Sequence, residues 1–168
     1  MRLLMPAVAA VAMLIVPAPA LGWSWPVHGS VLTLFSFDRQ HPYAAGQHRG
    51  IDIGAPAGTG VAAPVSGSVA FAGTVPVGGK TLTIATPDGY SVTLVHLGSY
   101  AVRRGDDVSE GQVVGSVGPS GQSELTVPYV YLGVRRTDDP QGYLDPLAFL
   151  PAQGPPPSPG PCRSGARR

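Results

Sequence analysis

Residues 48–73 of this 168-residue chain, HRGIDIGAPAGTGVAAPVSGSVAFAG, decide the fold. The apolar pieces of this stretch are only a few residues long, and glycine or proline separates each piece from the next. The whole chain contains 23 glycines and 19 prolines, well above ordinary usage. Short apolar runs between turn-forming residues indicate short strands joined by turns. The stretch therefore predicts an all-β fold.

The same pattern of short apolar runs continues on both sides of this stretch. Pro87-Asp88-Gly89 separates two of the runs, and its Asp-Gly pair tolerates the positive φ of a tight hairpin turn. No segment of ten or more residues within 21–150 carries a helical apolar stripe, so helices should be short or absent. The predicted strands are 31–37, 61–63, 68–72, 81–86, 91–97, 112–117 and 129–135.

The alternation of side chains along a strand assigns them to faces. In 91–97, Val92, Leu94 and His96 should point one way, which makes His96 the polar end of an apolar face. In 129–135, the valines and the leucine at positions 130, 132 and 134 should face the core. The opposite face, which should border a groove or a second sheet, consists of Tyr129, Tyr131, Gly133 and Arg135.

Composition divides the chain into three parts. Residues 1–20 are predicted to be a signal peptide, with an apolar run over 3–16 and small residues at the cleavage site, so no membrane span should remain after cleavage. Residues 21–150 form one domain, and the Pro- and Arg-rich tail 151–168 should be disordered. The single cysteine, Cys162, excludes a disulfide framework and is available as a free thiol or for an intermolecular disulfide.

The charge of the chain excludes one class of partner. Its formal net charge is +1, and within 21–150 Lys80 and six arginines stand against ten acidic residues. This mildly acidic domain lacks the basic surface that nucleic-acid binding requires. Lys80 also lacks the flanking methionines of a lipoyl or biotinyl carrier, which disfavours a carrier role.

The first candidate for chemistry is the pair His48 and Asp52, which lie four positions apart around Gly50. In a loop that enters a strand, this spacing can direct an imidazole and a carboxylate onto one metal ion. A solvent-exposed pair without a ligand is the alternative. His41, seven residues earlier, is either a substitute ligand or a loop histidine in solvent.

Five ordered motifs resemble the LytM/lysostaphin-type peptidoglycan endopeptidases, zinc enzymes of the cell wall. The resemblance covers about residues 23–150 and implies an antiparallel β-sandwich or duplicated hybrid barrel. The motifs are WSWPVHG from 23, the stretch 48–73, VTLVHL from 92, GDDVSEGQVVGSVGPSG from 105 and LDPLAFL from 144.

The resemblance implies a zinc site but also shows where this chain departs from the family. His48 and Asp52 would be two zinc ligands, and His96 would be a catalytic histidine. The family expects a His-x-His element near the last strand, but Tyr129 and Tyr131 occupy its two positions, the catalytic one and the third-ligand one. A phenol must lose a proton of pKa ~10 before it ligates well, so Tyr131 is a doubtful third ligand.

Three hypotheses of function follow for a secreted or cell-envelope protein. The first is an impaired or inactive domain that binds cell-wall peptides or regulates another cell-wall hydrolase. The second is an active zinc endopeptidase that cleaves stem or cross-bridge peptides, with Tyr131 or His41 completing the site. The third is a structural role in which the tail and Cys162 attach the domain to another envelope protein. Zinc is the expected cofactor if there is one.

Overall fold

The computed structural model describes residues 22–153 of the chain. Strands make up almost all of its regular structure, and the helical part of the described range is a single 3-10 turn, Pro146–Ala148. The strands are β1 Val31–Thr33, β2 Ile51–Gly54, β3 Gly60–Ala62, β4 Gly67–Val75, β5 Gly79–Ala85, β6 Tyr90–Tyr100, β7 Asp107–Val108, β8 Val113–Val117, β9 Tyr129–Arg136 and β10 Tyr143–Leu144.

The strands form one antiparallel sheet in the order β1-β2-β9-β6-β5-β4-β7. Strand β10 pairs with the far end of β9, whereas β3 and β8 form a ribbon that joins the sheet through the C-terminal part of β6. Every strand pairing in the described range is antiparallel. The prediction of an all-β antiparallel fold is confirmed.

Most of the predicted strands exist, with shifted ends. The hairpin between β5 and β6 forms at the predicted turn, where Gly89 has a φ of 81° and the Thr86 amide donates to the Tyr90 carbonyl at 2.9 Å. The first predicted strand is shorter than expected and ends at Thr33. Strands β2, β7 and β10, which have four, two and two residues, were not predicted.

The central strand β9 has the two faces that its sequence predicts. Val130, Leu132 and Val134 are fully buried in the core. The opposite face begins with Tyr129 and ends with Arg135. It borders two clefts, one at each end. The core itself is aliphatic, with Leu82, Ile84, Leu94 and other branched side chains excluded from solvent.

The predicted orientation of His96 is wrong, because β6 contains a bulge at this residue. The pairing of β5 with β6 gains a residue between Leu94 and Leu97, and His96 adopts a φ of 64°. This left-handed conformation is uncommon for residues other than glycine, although histidine adopts it more readily than most. Leu97 therefore takes the core position, with no exposed surface, and His96 turns toward Tyr129.

Two predictions concern residues at the chain ends. The signal peptide 1–20 lies outside the described residues, as does the tail from 154 onward, including Cys162. The first residues after 150 contact the domain, because Trp25 Nε1 donates to the Pro151 carbonyl at 2.8 Å and Gln153 donates to Gly29. Within 22–153, no helix is long and apolar enough to cross a membrane.

Candidate functional site

The backbone brings His48 and Asp52 together at the entrance to β2. His48 exchanges two 2.8 Å backbone hydrogen bonds with Ser36, which holds the loop against the preceding segment. Asp52 lies inside β2, between Thr33 of β1 and Tyr131 of β9. His48 Nε2 and Asp52 Oδ2 are 3.3 Å apart. The spacing of four positions therefore brings the two side chains into contact.

Both partners are short of hydrogen bonds. His48 Nε2 and Asp52 Oδ1 are buried without a hydrogen-bond partner among the described residues. The contact between the two side chains involves the other carboxylate oxygen, Oδ2. Burial raises the pKa of Asp52, while Thr33 and then His48 act in the opposite direction. Unsatisfied buried polar atoms cost stability, so these two atoms destabilise the fold when no ligand is bound.

We expect Asp52→Asn to stabilise the metal-free protein by about 1 kcal/mol. The amide removes a buried carboxylate and offers an N–H that can donate to His48 Nε2. Thermal unfolding with a chelator present measures the change, and Asp107→Asn at an exposed position serves as the control. A lower melting temperature for Asp52→Asn would show that the carboxylate contributes to stability.

Tyr131 packs against His48, and its hydroxyl oxygen lies over Gly133. The Tyr131 and His48 rings meet edge to face with centroids 5.4 Å apart. The ring fills a slot between Gly50 and Gly133, since a Cβ built on Gly133 would lie 2.8 Å from the Tyr131 hydroxyl oxygen. Burial raises the pKa of Tyr131 far above its ordinary value, with Tyr143 and Asp52 as further causes. The phenol therefore stays protonated and is a poor metal ligand.

These residues do not fit the zinc centre that the resemblance implies. A catalytic zinc takes three protein ligands and a water molecule, whereas His48 and Asp52 supply two. Within 22–153 no three His, Cys, Asp or Glu side chains are grouped closely enough to hold a metal. His41 is not part of this cluster, because its Nδ1 pairs with Asp38 at 2.8 Å in an exposed loop.

His96 is engaged by hydrogen bonds on both ring nitrogens. Its Nδ1 lies 2.9 Å from the Ser120 carbonyl oxygen, which only accepts, so Nδ1 carries the hydrogen. In this neutral tautomer Nε2 accepts, and the Tyr129 hydroxyl donates to it at 3.1 Å. The lone pair that a general base would offer to water is therefore occupied by Tyr129.

His96 and Tyr129 line a cleft of about 250 Å³, which we call the His96 cleft. Its other walls are largely apolar and come from the turn between β2 and β3 and from the loop between β8 and β9. They include Ala57, Leu125, Val127 and Pro128. Such a cleft can hold an extended peptide by its apolar surface, with a few polar groups to orient it.

A second cleft lies at the other end of the same face of β9, and the sequence did not reveal it. This groove, of about 420 Å³, we call the arginine groove. Its polar lining includes Arg49, Thr83, Thr93, Tyr131, Arg135 and Tyr143. These residues are far apart in sequence, and the only earlier signal was the position of Arg135 on the face of β9 predicted to border a groove.

The fold and the site together define a class of protein, the peptidase-like domains built around a His-x-Gly-x-Asp element. The family model described as "Peptidase family M23" matches residues 46–143. The chain therefore belongs to peptidase family M23, and the resemblance to the LytM/lysostaphin enzymes is confirmed.

Relatives of two kinds resemble the chain. The lipoprotein YgeR of Escherichia coli is 30% identical over 79% of the chain and 48% of its own length. The murein hydrolase activator NlpD of Salmonella dublin is 28% identical over 76% of the chain and 32% of its own length. The chain thus spans half or less of these relatives. Such relatives confirm the predicted location in the bacterial cell envelope.

The solved structures include a working enzyme of the family. The catalytic domain of lysostaphin from Staphylococcus simulans is 28% identical, with a TM-score of 0.61, and the match covers 72% of this chain and 89% of that domain. The chain therefore resembles a peptidase domain in structure and a murein hydrolase activator in sequence.

Proposed function

We propose that this chain is a cell-envelope domain that regulates cell-wall hydrolysis without cleaving peptides itself. The observation that carries the proposal is the hydrogen bond from Tyr129 to His96 Nε2, which occupies the catalytic histidine of the family. The same chain has Tyr131 at the third-ligand position, with its hydroxyl over Gly133. The loss of a free catalytic histidine and the loss of a third metal ligand both impair hydrolysis. Neither loss closes the cleft beside them.

The regulated partner, in this proposal, is a separate cell-wall hydrolase. The support comes from NlpD, which is named a murein hydrolase activator and matches 76% of this chain. The His96 cleft is the surface that would contact the partner or the peptidoglycan peptide that the partner cleaves. Its apolar walls suit either ligand, because burial of apolar surface does not require a metal.

Release of dye from labelled peptidoglycan sacculi tests the proposal. The purified chain alone should release no dye, and it should accelerate release by a cell-wall hydrolase from the same organism. Release by the chain alone that stops with a chelator and returns with zinc would contradict the proposal. His48→Ala should then abolish that release.

A second candidate, an active zinc endopeptidase, is supported by one observation. His48 Nε2 and Asp52 Oδ1 are buried without partners, as metal ligands are when no ion lies between them. This function requires a third ligand, and metal analysis tests for it directly. About one zinc per chain, lost in His48→Ala, would favour the peptidase; the absence of zinc after reconstitution would exclude it.

We expect Val127→Asp to weaken binding to sacculi about tenfold. Val127 is 49% exposed in the wall of the His96 cleft, so a carboxylate there places a charge in the apolar surface without disturbing the core. Val113→Asp is a matched control, because Val113 is 55% exposed on β8 and does not line the cleft. A pull-down with sacculi measures both. Equal losses in the two variants would show that the cleft is not the binding surface.

A further inference from the structure

We propose that the arginine groove is a binding site for the carboxylate of a peptide. The inference goes beyond the proposed function, because it assigns a second site whose occupancy can be measured whether or not the His96 cleft binds anything. The groove crosses strands β5, β6 and β9 on the side of Tyr131 that faces away from His48 and Asp52. Charged side chains and unused hydrogen-bond donors line it.

Positive charge is concentrated in the arginine groove. Residues 21–150 contain only seven basic side chains against ten acidic ones, yet two arginines, Arg49 and Arg135, line this one groove. Neither forms an ion pair with a carboxylate among the described residues. The nearby carboxylate of Asp139 is paired with Arg39 instead. The groove therefore holds two guanidinium groups that have no ion-pair partner among the described residues.

Arg49 is held in place before any ligand binds. Its guanidinium carbon lies 5.5 Å from the centre of the Phe37 ring and 5.0 Å from that of Tyr143, within cation–π range. Arg49 Nη2 also donates to the Pro42 carbonyl at 2.6 Å. A guanidinium that is already oriented loses less entropy when it binds a carboxylate.

Neutral hydrogen-bond donors lie beside the arginines. The Tyr131 hydroxyl makes no side-chain hydrogen bond among the described residues, and its oxygen lies over Gly133, which also lines the groove. The Thr83 and Thr93 hydroxyls lie 3.3 Å apart, and one hydrogen satisfies that contact, so the other hydroxyl hydrogen is free for a ligand. Carboxylates, which only accept hydrogen bonds when ionised, match this collection of donors.

The chemistry of the groove favours a peptide as the carrier of the carboxylate. Tyr129 and Arg135 are six residues apart on one face of β9, about 20 Å along an extended strand. An extended peptide can therefore lie along this face with its carboxylate at Arg135. The carboxylate can be the C-terminal group of the peptide or a glutamyl side chain, and both place the same two oxygens in the groove.

Titration of the full domain with short peptides, followed by NMR, tests the inference. The probes are an acetylated alanine tripeptide with a free C-terminal carboxylate, its C-terminal amide, and the amide with one alanine replaced by glutamate. We expect the free acid to bind at least about tenfold more tightly than the plain amide, with shifts at Thr93 and Gly133. Binding of the glutamyl amide to the same residues would assign the site to side-chain carboxylates as well.

Two neighbouring arginines provide the matched variants. Arg135→Gln should weaken binding of the free acid about tenfold, and Tyr131→Phe about threefold. Arg136→Gln should leave it unchanged, because Arg136 pairs with Asp138 at 3.0 Å and does not line the groove. Equal binding of the acid and the plain amide would overturn the inference. So would equal losses in the Arg135 and Arg136 variants, since attraction by net charge alone explains that result.

Discussion

Replacing Tyr131 with histidine is expected to turn the His48 and Asp52 pair into a zinc site. Tyr131 lies directly opposite Asp52 in the pairing of β2 with β9, and its ring already contacts His48. A neutral imidazole offers a lone pair at pH 7, whereas the buried phenol holds its proton. The variant would complete a three-ligand site, and we expect the affinity for zinc to rise on the order of a hundredfold.

Competition with a chromophoric chelator measures this gain. Tyr143→His is the matched control, because Tyr143 also lines the arginine groove but lies on β10, two strands from Asp52 in the sheet. Adding Asp52→Ala to Tyr131→His should remove the gain. If both tyrosine variants bind zinc equally weakly, the His48 and Asp52 pair is not a preformed part of a metal site.

The sequence predicts the fold well because its signals are local and repeated. Turn residues between short apolar runs mark the strand limits, and the Asp88-Gly89 hairpin depends on nothing outside its own few residues. The contact between His48 and Asp52 is predictable for the same reason, since four residues around Gly50 allow little freedom. A face assignment succeeds on β9 because that strand is regular through its predicted length.

The face assignment fails on β6 because the alternation of side chains along a strand does not reveal a bulge. One inserted residue exchanges the faces of all side chains that follow it, so Leu97 is buried where His96 was expected. The hydrogen bonds of His96 to Ser120 and Tyr129 then depend on loops that meet only in the folded chain. The arginine groove escapes prediction in the same way, because Arg49 and Arg135 are distant in sequence.

Tyr129 and Tyr131 each line one of the two clefts on this face of β9. Tyr129 satisfies His96, and Tyr131 fills the slot over two glycines, so each occupies a position where the family expects a histidine. The ring of Tyr131 also forms a wall between the unsatisfied His48 and Asp52 pair and the arginine groove. In the proposed function, the two tyrosines replace residues of a metal site and supply surface for binding at the same two positions.

We expect Gly50→Ala to lower the free energy of unfolding by about 3 kcal/mol, because Tyr131 packs closely against Gly50. A Cβ at position 50 would lie 2.6 Å from Tyr131 Cζ and would also collide with the carbonyl oxygen of Leu132. That carbonyl belongs to the central strand β9, which is paired on both sides and cannot move without loss of hydrogen bonds. The lower conformational entropy of the unfolded alanine variant offsets at most about 1 kcal/mol of this loss.

Chemical denaturation of three variants separates the two parts of this clash. Gly60→Ala is the control, because its Cβ would meet only Val113 methyl groups at 3.8 Å, and we expect a change below about 1 kcal/mol. In a Tyr131→Ala background, Gly50→Ala should cost less than in the native chain but more than the control, since the Leu132 carbonyl remains. If Gly50→Ala is as mild as Gly60→Ala, the slot is loose and Tyr131 is not fixed by it.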